Sequence, residues 1–271
     1  MKGANLGQHF LVNNNVAEKI ARQFLPAQGP ILEIGPGRGI LTDLLLKYRA
    51  ENGLNPFTAI ELDYALFYQL KNKYAHLTDF EVQNRDILKI DLHHLFPAQS
   101  QTVNIIGNVP YYISKELMDW VLTYHKKIKK GIFMMQKEFV DKVKPLPGSD
   151  QTNAQSVLLN YLFEMRALFD VLPGSFSPQP RVKSTVFQFA PFAQEQLPES
   201  DIHRFYLFVQ RCFMNRRKTL LNNLANAVNT ETLWHIFETH HINSMLRAEQ
   251  TTLAEFLLLY RCLQPPQENR E

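Results

Sequence analysis

Cysteine is scarce: the 271-residue chain has two, Cys212 and Cys262, 50 positions apart and without a CxxC spacing. That excludes a disulfide framework and a cysteine-based zinc site, and both thiols are expected in the core. Long apolar runs are missing as well. The longest late run, "FLLLY" from Phe256, is far short of the about 20 residues a membrane span needs, and the opening "MKGANLGQHFLV" holds no signal-like apolar stretch. A cytoplasmic protein is expected. Neither sign of charge prevails: 29 basic residues face 26 acidic ones, a net +3, so nucleic-acid binding would have to come from local clusters. His93-His94 and His240-His241 resemble metal pairs, but adjacent side chains point apart on a helix or a strand. No metal is expected. No internal repeat is visible, and only the tail "QPPQENRE" reads as disordered.

What is present is enough apolar residue, 45%, to bury a sizeable core and a smaller appendage. Short apolar strands ("PILEIG", "FTAIEL", "FEVQNRD", "TVNIIGN", "KKGIFMM") alternate with stretches of helical spacing ("GILTDLLLKY", "YALFYQLKNKY", "KELMDWVLTYH"). This alternation predicts a Rossmann-like α/β domain with a mostly parallel, doubly wound sheet. "RALFDVLPGSFSPQPRVKSTVFQFAP" reads instead as an antiparallel pair at a sheet edge. After Pro198 the pattern is helical only, over Asp201–Met214, Arg217–Asn226, Thr230–His240 and Thr252–Arg261. The division expected is 1–194 for the α/β domain and 195–271 for a small helical one.

Glycine is sparse, 11 in all, yet Gly35, Gly37 and Gly39 crowd one strand-to-helix turn, "LEIGPGRG". This is not the GxGxxG dinucleotide spacing, whose helix N-terminus holds a pyrophosphate. The ExGxGxG form beginning at Glu33 resembles the nucleoside-binding turn of S-adenosylmethionine-dependent methyltransferases. Glu61 ends the second strand where an open α/β sheet presents an acid to ribose hydroxyls. Asp86 ends the third and can accept from an adenine amino group. Asp63 competes with Glu61 but falls past the strand, where it is expected to cap a helix.

The fourth strand ends in "GNVPYYIS", Gly107 to Ser114. An exocyclic amine is a poor nucleophile because its lone pair is delocalised into the base. Two acceptors aimed at its hydrogens favour a tetrahedral nitrogen, and the Asn108 side-chain oxygen with the Pro110 carbonyl are the expected pair. Tyr111 supplies a face on which an extruded base stacks.

Together "LGQHFL", "LEIGPGRGILT", "IELD", "NRDIL", "GNVPYYIS", "MMQKE", "SFSPQPRVKSTV" and "FMNRRKTLLNNL" resemble the small-subunit ribosomal RNA adenine dimethyltransferases, the KsgA family, from about Leu6 to Leu259. The resemblance implies S-adenosylmethionine as methyl donor and transfer of four methyls, two to each of two adjacent adenines near the end of the small-subunit RNA. It places Asn5, Leu6 and Gln8 over the methionine end of the donor and Glu33 with the three glycines at the turn. Glu61 falls at the ribose and Asp86 at the donor's adenine, Leu62 and Ile87 belong to the same donor site, and Asn108 lies beside the reacting centre. Phe176 becomes a second stacking ring. Large-subunit RNA or DNA adenine, or a noncatalytic docking role, are the alternatives. The chain departs from the family in Val109, where leucine is common, and in Thr152 and Asn153, where tyrosine and glycine are. Arg38 has no evident task in a glycine turn.

RNA binding to an assembling small-subunit particle, by a protein expected to be a monomer, needs basic surface. Lys126, Lys127, Lys129 and Lys130 form one cluster and Arg211, Arg216, Arg217 and Lys218 another. Charge runs are usually solvated faces. The second cluster is the more persuasive because the rest of its region is charge-balanced.

Overall fold

In the computed structural model the described residues are 8–25, 28–52, 56–97, 102–144, 149–192, 197–225 and 227–264. The chain divides into two compact units, residues 1–140 with 163–191, and residues 141–162 with 192–271. The expected division at 194 therefore falls near the second crossing, while 141–162 groups with the helical unit.

In chain order the elements are β1 (Phe10–Leu11), α1 (Asn14–Phe24), β2 (Ile31–Ile34), α2 (Ile40–Asn52), β3 (Phe57–Glu61), α3 (Tyr64–Lys73) and β4 (Phe80–Asn84). Then follow α4 (Leu92–Leu95), β5 (Val103–Asn108), α5 (Ser114–Thr123), β6 (Ile128–Gln136), α6 (Lys137–Val143), α7 (Ala154–Leu162), β7 (Phe163–Val171), β8 (Phe176–Ser177) and β9 (Ser184–Pro191). The chain ends in α8 (Glu199–Cys212), α9 (Leu220–Leu224), α10 (Thr230–Thr239) and α11 (Leu253–Leu263).

The first unit is built on a seven-stranded sheet of order β4-β3-β2-β5-β6-β9-β7. Strands β2 to β6 run parallel, and β9 is antiparallel to both of its neighbours. Parallel strands covered on both faces need near-continuous apolar sequence, and all four residues of β2 and all five of β3 are buried. Chain order reverses between β2 and β5, so a crevice opens beyond their carboxyl ends. Registers bring those ends level: Ile34 pairs with both Ile60 and Gly107. A Cβ at Gly107 would lie 2.6 Å from the Ile34 carbonyl oxygen, so the residue just before Asn108 has to be glycine. Away from the crevice, Phe133 packs edge to face on Phe187 and Phe163 on Phe189, and the Phe189 ring lies over Gly131, in the antiparallel edge of the sheet.

Helix α1 was not foreseen from the sequence. Asn13 caps it by accepting from the Asn15 and Val16 amides, and Ala17, Ile20, Ala21 and Phe24 bury its inner face. Ahead of it, β1 pairs antiparallel with β8, matching Phe10 to Ser177 and Leu11 to Phe176.

In the second unit Phe205 packs against Tyr161 and Tyr260, with ring centroids 5.4 and 5.3 Å away. Buried Asn223 donates to the carbonyls of Cys212 and Asn215 and accepts from the Asn215 amide, which fixes the turn between α8 and α9. Helix α9 is shorter than the pattern over 217–226 suggested because Thr219 caps it, accepting from the Asn222 amide. Thr152 is fully buried, and Asn153 accepts from the Ser156 amide at 3.0 Å at the start of α7. Asn153 thus serves a helix start, whereas the buried Thr152 hydroxyl has no hydrogen-bond partner among the described residues. Cys212 is buried as expected, but Cys262 is exposed, because the last turn of α11 points it outward to 3.4 Å from Nε2 of His240.

Candidate active site

A cleft of about 220 Å³ lies where the carboxyl ends of β2, β3, β4 and β5 converge. All of its walls belong to the first unit, and the glycine turn forms its floor. Gly35, Gly37 and Gly39 have φ of 64°, 59° and 86°, the left-handed region that side chains disfavour. At Gly37 space is short as well, since a Cβ would sit 3.1 Å from the Phe10 ring. Phe10 in turn carries Arg38, whose guanidinium carbon lies 4.7 Å above the ring centroid. Arg38 therefore has a structural place, holding β1 against the turn.

Three acids face this floor. Glu61 is 3% exposed; its Oε2 accepts from the Gly37 amide at 3.0 Å and its Oε1 from the Asp63 amide at 2.9 Å. Burial raises its carboxyl above the usual range, against the pull of those hydrogen bonds. Glu33, 1% exposed, accepts from the Thr42 hydroxyl at 2.7 Å, and burial pushes its carboxyl up to about 8. Asp86 accepts from the Leu88 amide at 3.0 Å, starting a short 3₁₀ turn and leaving its second oxygen for a ligand. Among the described residues none of the three has a salt-bridge partner. Asp63 caps α3, as expected.

The opposite wall is the end of β5. Asn108 Nδ2 donates to the His9 carbonyl at 3.1 Å, which assigns the amide orientation and leaves Oδ1 turned away as an acceptor. The Pro110 carbonyl takes the Ile113 amide at 3.2 Å, closing the 3₁₀ turn, and keeps one lone pair. Val109 lines the cleft one residue earlier, and its carbonyl has no donor among the described residues. Tyr111 stands beside this pair, its hydroxyl 2.9 Å from Ser184 Oγ. Its phenol is held above the ordinary range by burial, as is that of the more exposed Tyr112, which also feels Asp86 and Glu61.

A family model described as ribosomal RNA adenine dimethylase matches residues 2–265. The chain belongs to that family. A relative named ribosomal RNA small subunit methyltransferase A, from Hahella chejuensis, is 34% identical, with 93% of this chain and 89% of the relative covered. A dimethyladenosine transferase from Plasmodium falciparum superposes with a TM-score of 0.76 at 22% identity, over 93% of this chain and 96% of that one. The 23S rRNA methyltransferase ErmE gives 0.71 at 23% identity, over 94% and 99%. Those two likenesses show a shared fold and do not separate targets. As a member of the dimethylase family the protein is an S-adenosylmethionine-dependent methyltransferase.

The cleft fits that donor. Three acids line it beside two arginines, Arg38 and Arg85, and among the described residues none of the three acids is salt-bridged, which leaves them for a cationic ligand, while the glycine floor admits close backbone approach. Gln8, Glu33, Gly35, Gly37, Glu61, Leu62, Asp86, Ile87, Asn108, Pro110 and Tyr111 all line it. Gly39 does not: a Cβ there would meet the Tyr74 hydroxyl at 2.8 Å, so it allows α2 and α3 to pack. Asn5 and Leu6 lie outside the described residues. Phe176 is 3% exposed and sits in the core cluster with Leu11 and Val171, so it presents no open face to a base.

The first basic cluster is corrected by burial. Lys127 is 5% exposed and its Nζ donates to the Phe96 carbonyl at 3.2 Å, while Lys130 reaches the Gln23 carbonyl at 2.7 Å. Only Lys126 and Lys129 of the four are exposed. Lys127→Ala is expected to lower stability by about 1–3 kcal/mol, the cost of orphaning a buried acceptor, without changing RNA affinity; denaturant unfolding and filter binding measure the two. In the second cluster Arg211, Arg216, Arg217 and Lys218 are all exposed, with Arg216 donating to the Asp150 carbonyl at 2.7 Å.

Proposed function

We propose that this protein transfers methyl groups from S-adenosylmethionine to N6 of two adjacent adenines near the 3′ end of small-subunit ribosomal RNA, two to each, in an assembling particle. The observation that carries this is Asn108: tied through Nδ2 to the His9 carbonyl, it keeps Oδ1 beside the unpartnered Val109 carbonyl, two acceptors for one amine. Such a pair has no use in a docking protein. The name of the Hahella chejuensis relative supports a small-subunit target over a large-subunit one.

The donor's sulfonium supplies an already activated methyl, so no protein nucleophile or metal ion enters the scheme. Glu61 accepts from ribose hydroxyls, Asp86 from the adenine amine of the donor, and Leu62 and Ile87 flank that ring. Gln8 lies over the methionine end. The target adenine, turned out of its RNA, stacks on Tyr111 with its amine between the Asn108 and Val109 oxygens. Alignment and fixed acceptors then provide most of the rate.

The helical unit, residues 192–271 with 141–162, is assigned the RNA backbone. The last turn of α8 carries Arg211, and the turn to α9 carries Arg216, Arg217 and Lys218 on a frame set by Asn223. Replacing Arg217 and Lys218 with alanine should weaken particle binding at all sequences and lower the slope of log affinity against log salt by about 1 for each phosphate no longer neutralised. A monomer acting in the cytoplasm suffices for this scheme. The direct test is methyl transfer from labelled donor to undermethylated small subunits, large subunits and duplex DNA in parallel, read by nucleoside mass analysis. Dimethyladenosine in small subunits alone is expected, and label confined to another substrate would replace the target assignment.

A further inference from the structure

His9 sits at the mouth of the same cleft, and none of the roles above uses its ring. Its main-chain carbonyl receives Asn108 Nδ2, and its imidazole lies 5.6 Å, centroid to centroid, from the Tyr111 ring on which the target base is placed. Nδ1 is 2.7 Å from the Pro178 carbonyl oxygen. A carbonyl only accepts, so Nδ1 carries the hydrogen of that bond, and the neutral imidazole must then present Nε2 as a bare lone pair. Among the described residues Nε2 has no partner. An imidazole with its tautomer set by the far side of the ring, standing next to the acceptors for an amine, is arranged to take a proton.

Resting on the adenine N6 reading above, we propose that His9 Nε2 is the proton acceptor of the transfer step. The N6–carbon bond forms as the donor's carbon–sulfur bond breaks, its electron pair passing to sulfur. The nitrogen is left cationic and gives one hydrogen to Nε2, and the resulting imidazolium returns that proton to solvent through its partly exposed edge. Each of the two transfers to one adenine releases one proton, so His9 is used twice per base. The charged groups sharing the cleft are Glu33, Glu61 and Asp86 behind the donor, and Arg38 and Arg85 on the glycine-turn and β4 sides. Tyr111 is engaged with Ser184 and Tyr112 lies toward Asp86, so neither phenol competes for the role.

The test uses His9→Asn, whose amide can still donate to the Pro178 carbonyl but offers no basic nitrogen, with His9→Gln as a second variant. Single-turnover methylation of undermethylated small subunits is measured from pH 5.5 to 9, alongside donor affinity by calorimetry. The wild-type rate should fall at acid pH, because the acceptor must begin neutral. In His9→Asn the rate should drop about 10²-fold, lose that acid limb and recover in part with added imidazole, while donor affinity stays within a few-fold. A variant that keeps the wild-type rate and profile overturns the proposal, and so does one that is slower but retains the acid limb, which would make His9 a positioning residue only. If the wild type itself methylates no adenine, the failure lies with the functional reading rather than with His9.

Discussion

Asn108→Ala lowers methyl transfer to adenine by about 10²–10³-fold, the effect of removing one fixed hydrogen-bond partner from a developing charge. The expected loss is in kcat, because the amine becomes more tetrahedral, and its hydrogens more acidic, only on the way to the transition state. Donor affinity falls a few-fold at most, since Glu61, Asp86 and the glycine floor stay in place. Stability changes little: the bond to the His9 carbonyl joins partly buried groups at 3.1 Å, worth about 1 kcal/mol. Single-turnover rates and calorimetric donor binding separate these effects. Equal losses in both would mean that Asn108 holds the donor rather than the target amine, and the two-acceptor reading of β5 would have to be abandoned.

The strand-end acids could be named from the sequence because they are local. Buried parallel strands announce themselves as apolar runs, and whatever polar residue ends such a run stands at the sheet's carboxyl edge; Glu61 and Asn108 are legible in that way, while Asp86 follows the end of β4, a strand with only Phe80 buried, by two residues. Features that depend on a distant partner were not legible. Lys127 reads as one of four lysines, and nothing near it says that its ammonium ends at the Phe96 carbonyl, 31 residues away. Phe176 belongs to a motif of the family, yet its burial follows from the pairing of β8 with β1 across 165 positions of chain. Helix α1 was hidden by "NNN", where a capping asparagine is indistinguishable from a polar loop until the helix behind it is seen. Likewise residues 141–162 follow the sheet pattern in sequence and pack with the helical unit through α7 and α8. Which carbonyl stands freer beside Asn108 was not legible either, because it turns on the Ile113 amide, which goes to the Pro110 oxygen and not to that of Val109.

Glu33 is the residue whose cost the fold carries most visibly, and replacing it should make the protein more stable at alkaline pH. Its carboxyl lies at 1% exposure with one hydroxyl donor, and burial, with Glu61 and Asp43 nearby, lifts it to about 8 from an ordinary 4.5. In the folded chain it is therefore neutral below that value, whereas the unfolded chain ionises it above 4.5. Stability from this group is intact below pH 4.5, declines by about 1.4 kcal/mol per pH unit between the two values, and levels off above the upper one. Glu33→Gln keeps the shape and the Thr42 contact but cannot ionise. Its advantage in denaturant midpoint should be small at pH 5 and grow steadily to pH 8.5, by several kcal/mol in all; an advantage independent of pH would show that Glu33 is not neutral in the fold. The reason to retain such a residue is the ligand. A cationic donor entering a cleft walled by Glu33, Glu61 and Asp86 favours their charged forms, so donor binding near pH 7 should release a fraction of a proton. Calorimetry in two buffers of different ionisation enthalpy measures that release, and Glu33→Gln should abolish it while weakening the affinity. The stability that Glu33 forfeits in the free protein thus becomes selectivity for a positively charged ligand, which sets the intact donor apart from its neutral thioether product.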